Sequence, residues 1–105
     1  VVITSSNFYL HQYLASIAPH LDRGMVITRP NAVNALLELS CTYCAIHWSG
    51  CNPYLVRRLR KAGVHISVWT VNDPQMIKNL YRLKVDSIIT DYPSMAVPLL
   101  AALQR

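Results

Sequence analysis

Between Val64 and Val71 the chain alternates strictly, with Val64, Ile66, Val68 and Thr70 in one register and His65, Ser67, Trp69 and Val71 in the other. A period of two marks a β-strand, and apolar residues in both registers mark one covered on both faces. Asn72 or Asp73 can then cap a helix whose first residue is Pro74. A covered strand running straight into a capped helix is the βα unit of a parallel sheet, and active sites gather at that junction. This requirement constrains the rest of the chain, because a parallel strand needs neighbours reached through crossover helices.

Those neighbours are legible. Val1 to Ser6 reads as a strand, followed by a helix with Leu10, Tyr13, Leu14 and Ile17 at helical spacing and Pro19 as its stop. Asp22-Arg23-Gly24 reads as a turn into a second strand, Met25 to Thr28; Pro30 opens a helix that buries Val33, Leu36 and Leu37. A third strand, Tyr43 to Trp48, leads through Gly50-Cys51-Asn52 to a helix starting at Pro53, with Asn52 as cap and Gly63 in the left-handed closing position. After the central strand comes a helix presenting Met76, Ile77, Leu80 and Leu83 inward, then a last strand, Ser87 to Asp91. Ser94 caps a final helix, in which Pro98 is tolerable only within the first turn. Strand starts recur every ~20 residues, the pace of βα units in a barrel.

The chain has 105 residues, 52% of them hydrophobic and 14% charged, which suits one domain whose strands are covered on both sides. Ten Lys plus Arg against five Asp plus Glu leave a charge of +5. Such an excess can serve phosphate-bearing ligands, anionic membranes or nucleic acid. Its densest part, Arg57, Arg58, Arg60 and Lys61, shares a predicted helix with Leu55, Val56 and Leu59, so it reads as a solvated outer face and no nucleic acid is expected. No secretory signal and no run approaching the roughly 20 apolar residues of a membrane span is present. Three cysteines give no disulfide framework and leave the compartment open.

Two stretches, Val68-Trp69-Thr70-Val71-Asn72 and Ile88-Ile89-Thr90-Asp91-Tyr92-Pro93, stand in the order and at the separation found in the glycerophosphodiester phosphodiesterases. The chain resembles the C-terminal half of that family's catalytic domain, whose words there are "V-W-T-V-N" and "D-G-I-I-T-D-x-P". The resemblance implies an α/β fold, the C-terminal portion of a TIM (β/α)8 barrel, with about five βα units and the barrel incomplete. A full barrel needs roughly 200 residues or more, so residues 1–105 are expected to be the C-terminal part of a domain whose N-terminal part is absent. A start inside an apolar strand, without Met, agrees with that expectation. This chain departs from the family at Lys84 and Ser87, where "L-G-V-D-G-I" carries glycines. Lys84 would take over a helix end that glycine closes at positive φ, with some strain.

Working residues of a barrel sit at the C-terminal ends of its strands, here Ser5 and Ser6, Thr28 and Arg29, His47 and Trp48, Trp69 to Asn72, and Asp91. Trp69 shares the more polar face of its strand with His65 and Ser67, the better candidate for the barrel interior. The resemblance makes Trp69 a wall of the substrate pocket; a packed core indole is the alternative. His47 is read first as a structural imidazole, with reach to the pocket mouth as its functional reading. Asn72 is read as a helix cap before a ligand contact, and Asp91 as a cap or an arginine partner before a metal ligand. Ser5 and Ser6 match the family's "S-S-F" strand end, although Asn7 takes the aromatic position and Phe8 follows one residue later. The substrate-binding set is therefore Trp69, His47, Ser6 and Asn72, with no catalytic residue and no metal ligand in this chain.

A rival constellation is Cys41-x2-Cys44-x2-His47-x3-Cys51, which offers a tetrahedral zinc set and a small binding module. Its spacing differs from the C-x2-C-x4-H-x4-C of zinc knuckles. A strand from Tyr43 to Trp48 would also send Cys44 and His47 to opposite faces.

By resemblance, catalysis in the family rests on a general acid and base in "H-R-G" and "H-D" and on carboxylates in "E-N-T", "E-x-D" and "E-x-K" that hold a divalent metal, Mg²⁺ or Ca²⁺. None of those motifs occurs in residues 1–105. The parent protein would hydrolyse glycerophosphodiesters to glycerol 3-phosphate and an alcohol, with acid, base and metal ligands outside this chain, and its membrane association stays open. The isolated chain is expected to be inactive and either to self-associate through unpaired edges or to be poorly folded; a non-catalytic half-barrel that binds or assembles is the alternative.

Overall fold

The structure is a computed structural model and describes residues 2–104. Five strands alternate with five helices: β1 (Val2–Ser5), α1 (Phe8–Ile17), β2 (Asp22–Ile27), α2 (Val33–Glu38), β3 (Tyr43–His47), α3 (Pro53–Lys61), β4 (His65–Trp69), α4 (Pro74–Leu83), β5 (Ser87–Ile88) and α5 (Pro93–Leu103). Single 3₁₀ turns, Pro30–Ala32 and Trp48–Gly50, precede α2 and α3. The strands pair in chain order, β1-β2-β3-β4-β5, every pair parallel. Among the described residues β1 and β5 each have one strand neighbour, so the sheet is an open arc. The radius of gyration, 14.3 Å, exceeds the roughly 13 Å of a compact domain this long, and the longest extent is 44 Å.

The two faces of the arc differ chemically. Met25, Ile27, Cys44, Ile46, Ile66 and Val68 point to the helix side and are buried with Leu36, Leu55, Leu59, Ile77 and Leu80. The opposite, inner face carries successive rows: Thr4, Gly24, Tyr43 and His65; then Ala45, Ser67 and Ser87; then His47 and Trp69. Ser67 and Ser87 share a hydrogen bond between their hydroxyls. The polar register of β4 does face inward, as the sequence indicated.

α2, α3 and α4 stop by one device. Ser40, Gly63 and Lys84 adopt positive φ, at 55°, 74° and 63°. The next residue then donates its N–H five residues back: Cys41 to Leu36, Val64 to Leu59 and Val85 to Leu80. Each bond brings together two apolar side chains that seal the helix end, the arrangement of a Schellman motif. Gly63 and Lys84 were expected in these positions; Ser40 was not. Asn52 caps α3 by accepting from the Leu55 N–H at 2.8 Å, also as expected.

Several sequence expectations need correction. Asp22-Arg23-Gly24 is not a turn but the start of β2. Gly24 is there because a Cβ would lie 2.9 Å from Thr4 Oγ1 and 3.1 Å from Tyr43 Cβ, so its lack of a side chain serves lateral packing. Arg23 is buried on the helix side, where its guanidinium donates to the carbonyls of Leu39 at 2.6 Å and His11 at 3.4 Å. Leu39 ends α2, so the cation sits at that helix's negative pole.

α1 is rotated from its expected face. His11 is fully buried, while Leu10, Tyr13 and Ile17 are exposed, because the imidazole Nε2 reaches the Ser5 carbonyl at 2.8 Å. The helix expected from Pro30 begins as a 3₁₀ turn, and α5 starts at Pro93, before Ser94, which puts Pro98 inside it. Strand pairing of β5 ends at Ile88. Val1, expected in the first strand, lies outside the described residues.

On the outer face Arg58 bonds Asn34 Oδ1 at 3.0 Å and Arg60 lies 3.7 Å from Asp86. Part of the basic cluster is thus spent on local contacts. No described helix is long and apolar enough to cross a membrane.

Candidate functional site

The C-terminal ends of β1 to β5 form one rim of the arc, and the expected site residues all lie along it. β3 and β4 are in register there, His47 beside Trp69. The two rings meet edge to face, centroids 4.9 Å apart and planes at 84°, and Trp48 lies 5.2 Å from the imidazole on another side. Such contacts hold ring orientations by packing alone. Trp69 is half-buried, and its Nε1 is buried without a hydrogen-bond partner.

Trp69 also borders a hollow of about 460 Å³ beside the end of β2, together with Ser6, Phe8, Val26, Thr28 and Ala35. Ser6 and Trp69 therefore belong to one concavity, and His47 touches it through the indole. Phe8 supplies an aromatic wall although it stands one residue later than the family word would place it. α1 begins at Phe8, capped by the Asn7 side chain, which accepts from the Leu10 N–H at 3.1 Å. The cap thus sets the ring's position. Ser5 is structural: its hydroxyl accepts from the Asn7 N–H and its carbonyl pairs with His11.

Asn72 is neither the cap nor a wall of that hollow. Asp73 caps α4 by accepting from the Met76 N–H at 3.2 Å. Asn72 Oδ1 instead accepts from the Asp91 N–H at 3.0 Å and from Thr90 Oγ1 at 3.1 Å, while its Nδ2 donates to Asp91 Oδ2 at 3.0 Å. The residue clasps the loop after β4 to the loop after β5. Asp91 is accordingly occupied by Asn72 and, among the described residues, makes no arginine pair.

Ser49 is a rim residue that sequence reasoning missed. Its N–H donates to His47 Nδ1 at 3.2 Å, and its hydroxyl lies 2.7 Å from the same nitrogen. The only signal was a serine two places after a strand-end histidine, the spacing of a local side-chain turn.

The cysteine set does not converge with the histidine. Cys44 faces the helix-side core and His47 the inner face, and among the described residues no three His, Cys, Asp or Glu side chains come together. Burial pushes the Cys44 thiol up to about 12, and the Cys41 and Cys51 thiols are raised for the same reason. Thiolates, the metal-binding form, are disfavoured at all three.

The model of the glycerophosphoryl diester phosphodiesterase family matches residues 1–95. The chain belongs to this family. A glycerophosphodiester phosphodiesterase of Caldanaerobacter subterraneus subsp. tengcongensis is 29% identical over 101 residues, which cover 94% of this chain and 42% of the relative. A Silicibacter pomeroyi protein described as a candidate glycerophosphoryl diester phosphodiesterase superposes with a TM-score of 0.84 at 23% identity, over 97% of this chain and 38% of the other. An Oleispira antarctica phosphodiesterase, solved with the product sn-glycerol-3-phosphate, superposes with a TM-score of 0.78 at 22% identity, over 95% of this chain and 41% of the other. The α/β fold with its parallel five-stranded sheet is thus the fold of these family members, and the chain spans about two-fifths of their length.

Proposed function

We propose that this chain supplies the last five βα units of a glycerophosphodiester phosphodiesterase (β/α)8 barrel, in a protein that hydrolyses glycerophosphodiesters to glycerol 3-phosphate and an alcohol. The observation that carries the reading is Trp69: in a chain of this family it stands at the inner C-terminal end of β4, held by His47, on the wall of a hollow shared with Ser6. Trp69, Phe8 and Ser6 line the substrate's path, His47 contacts it, and Asn72 positions the two loops that border it.

The family's divalent metal, Mg²⁺ or Ca²⁺, does not fit the residues present, since no three potential ligands converge among the described residues. Metal, acid and base are assigned to residues outside this chain. The 105 residues alone are expected to show no turnover. No nucleic-acid surface is proposed, and part of the basic cluster has local partners. A second reading, a non-catalytic half-barrel that assembles with another chain, is favoured by the exposed Tyr9, Tyr13 and Ile17 of α1.

The test joins this chain behind the N-terminal half of the Caldanaerobacter relative and follows glycerophosphocholine hydrolysis with Mg²⁺ or Ca²⁺. Turnover by the joined protein, reduced on the order of 10- to 100-fold by Trp69→Ala, supports the enzyme reading. A folded joined protein without turnover favours the assembly module.

A further inference from the structure

We infer that Ser49 is a positioning residue that fixes the His47 ring as the tautomer with its proton on Nε2, so that His47 presents an N–H donor to an oxygen of a phosphate ester at the rim. The inference deepens the phosphodiesterase reading and rests on it for the identity of the ester.

The backbone supplies the decisive group. An amide N–H can only donate, and the N–H of Ser49 is aimed at His47 Nδ1 from 3.2 Å. Nδ1 must therefore offer its lone pair, and the ring proton of the neutral imidazole goes to Nε2. The Ser49 hydroxyl, 2.7 Å from Nδ1, adds a second contact on the same side.

Nothing nearby lets the ring turn over. Trp48 and Trp69 both pack against it. The turn bearing Ser49 is closed by the Cys51 N–H donating to the Trp48 carbonyl at 3.3 Å. It also lies tight on the residue that follows β2, where a Cβ on Gly50 would come within 2.7 Å of the Thr28 carbonyl. A ring flip would set Cδ2–H against the Ser49 amide.

Nε2 remains for a ligand. Among the described residues no protein group bonds it, and it is not one of the buried polar atoms left without a partner. The two acids of this rim are engaged elsewhere, Asp73 in its cap and Asp91 in the Asn72 clasp, so neither competes for the proton. An oxygen of a phosphate ester is the acceptor that gains most, because hydrogen bonds to a charged oxygen are the strong ones.

Imidazole ¹⁵N–¹H correlation spectra of the histidine-labelled joined protein, with His47 assigned by its absence in His47→Phe, test this directly. His47 is expected to show a protonated Nε2 and a bare Nδ1, and the Nε2 signal is expected to move saturably as sn-glycerol 3-phosphate is added. Ser49→Ala keeps the backbone N–H and should hold the Nε2–H tautomer while shifting the Nδ1 signal through loss of the hydroxyl contact, and Ser49→Thr should restore that signal. In the joined enzyme, His47→Phe should raise KM about tenfold or more, while His47→Gln, which keeps an N–H near Nε2, should recover most of the loss.

A proton on Nδ1, a mixed tautomer in the unsubstituted joined protein, a His47 signal identical to that of the urea-unfolded protein, or an Nε2 signal indifferent to the ester would each overturn the inference. A fixed Nε2–H tautomer that responds to sn-glycerol 3-phosphate, in a joined protein that hydrolyses nothing, would instead leave it standing and remove the enzyme reading.

Discussion

Lys84 closes α4 at φ 63° and ψ 40°, a conformation in which its Cβ crowds the following carbonyl. It holds because the Val85 and Lys84 amides bond back to Leu80 and Tyr81. Glycine there keeps both bonds without the crowding, at the cost of a freer unfolded chain. Lys84→Gly is therefore expected to stabilise the fold by about 0.5–1 kcal/mol, the relieved left-handed crowding less the entropy of a freer unfolded chain, read as a higher midpoint in urea. This strain was legible, since the lysine stands where family members keep glycine. Ser40 does the same at the end of α2 but gave no signal, because serine is an ordinary residue in a turn. Cys44 belongs to the same scale. Burial pushes its folded thiol up to about 12 from an ordinary 9.0, so the folded state binds that proton more tightly than the unfolded chain. Its contribution to stability is complete below pH 9 and is lost as pH rises towards 12. Urea midpoints should hold steady from pH 7 to 8.5 and fall by pH 10.5, and Cys44→Ala should flatten the fall.

Pro98 shows what helix signals can and cannot settle. It is the sixth residue of α5, beyond the first turn, and its missing N–H leaves the Ser94 carbonyl without its partner four residues on. Both residues are exposed, so water can serve that carbonyl. Pro98→Ala restores the bond and is expected to stabilise α5 by about 1–3 kcal/mol, seen as slower amide exchange across residues 94–102. The capped helices α3 and α4 were readable because Asn52-Pro53 and Asp73-Pro74 fix their first turns. The start of β2 and the buried face of α1 were not readable. Gly24 signals a turn in sequence but a lateral contact in the sheet, and a buried His11 overrides the apolar spacing of Leu10, Tyr13 and Ile17. Those are tertiary causes with no local signature. The rim followed the same division. Trp69 and Ser6 were placed on the rim because strand ends were legible; the Asn72 clasp depends on how separate loops meet, and the local Ser49 contact left only a serine two places after His47 as its signal.

The whole molecule is an open arc whose helix-facing side is a finished core and whose other side is not. Ile89, 48% exposed, and the half-buried Trp69 belong to the inner side, and α1 displays Tyr9, Tyr13 and Ile17 at 78%, 59% and 58%. Among the described residues β1 and β5 each leave one edge of backbone N–H and C=O groups without a strand partner. Each large apolar side chain left in water forgoes ~1.5–3 kcal/mol, against a total stability of ~5–15 kcal/mol for a domain of this size. The proposal that these surfaces belong to the interior and seams of a larger barrel is tested most directly by light scattering of the isolated 105-residue chain at micromolar concentration, combined with thermal melting. The expected result is self-association, with two copies covering one another's open faces, or a melt without a cooperative transition. A monodisperse monomer that melts cooperatively would contradict it.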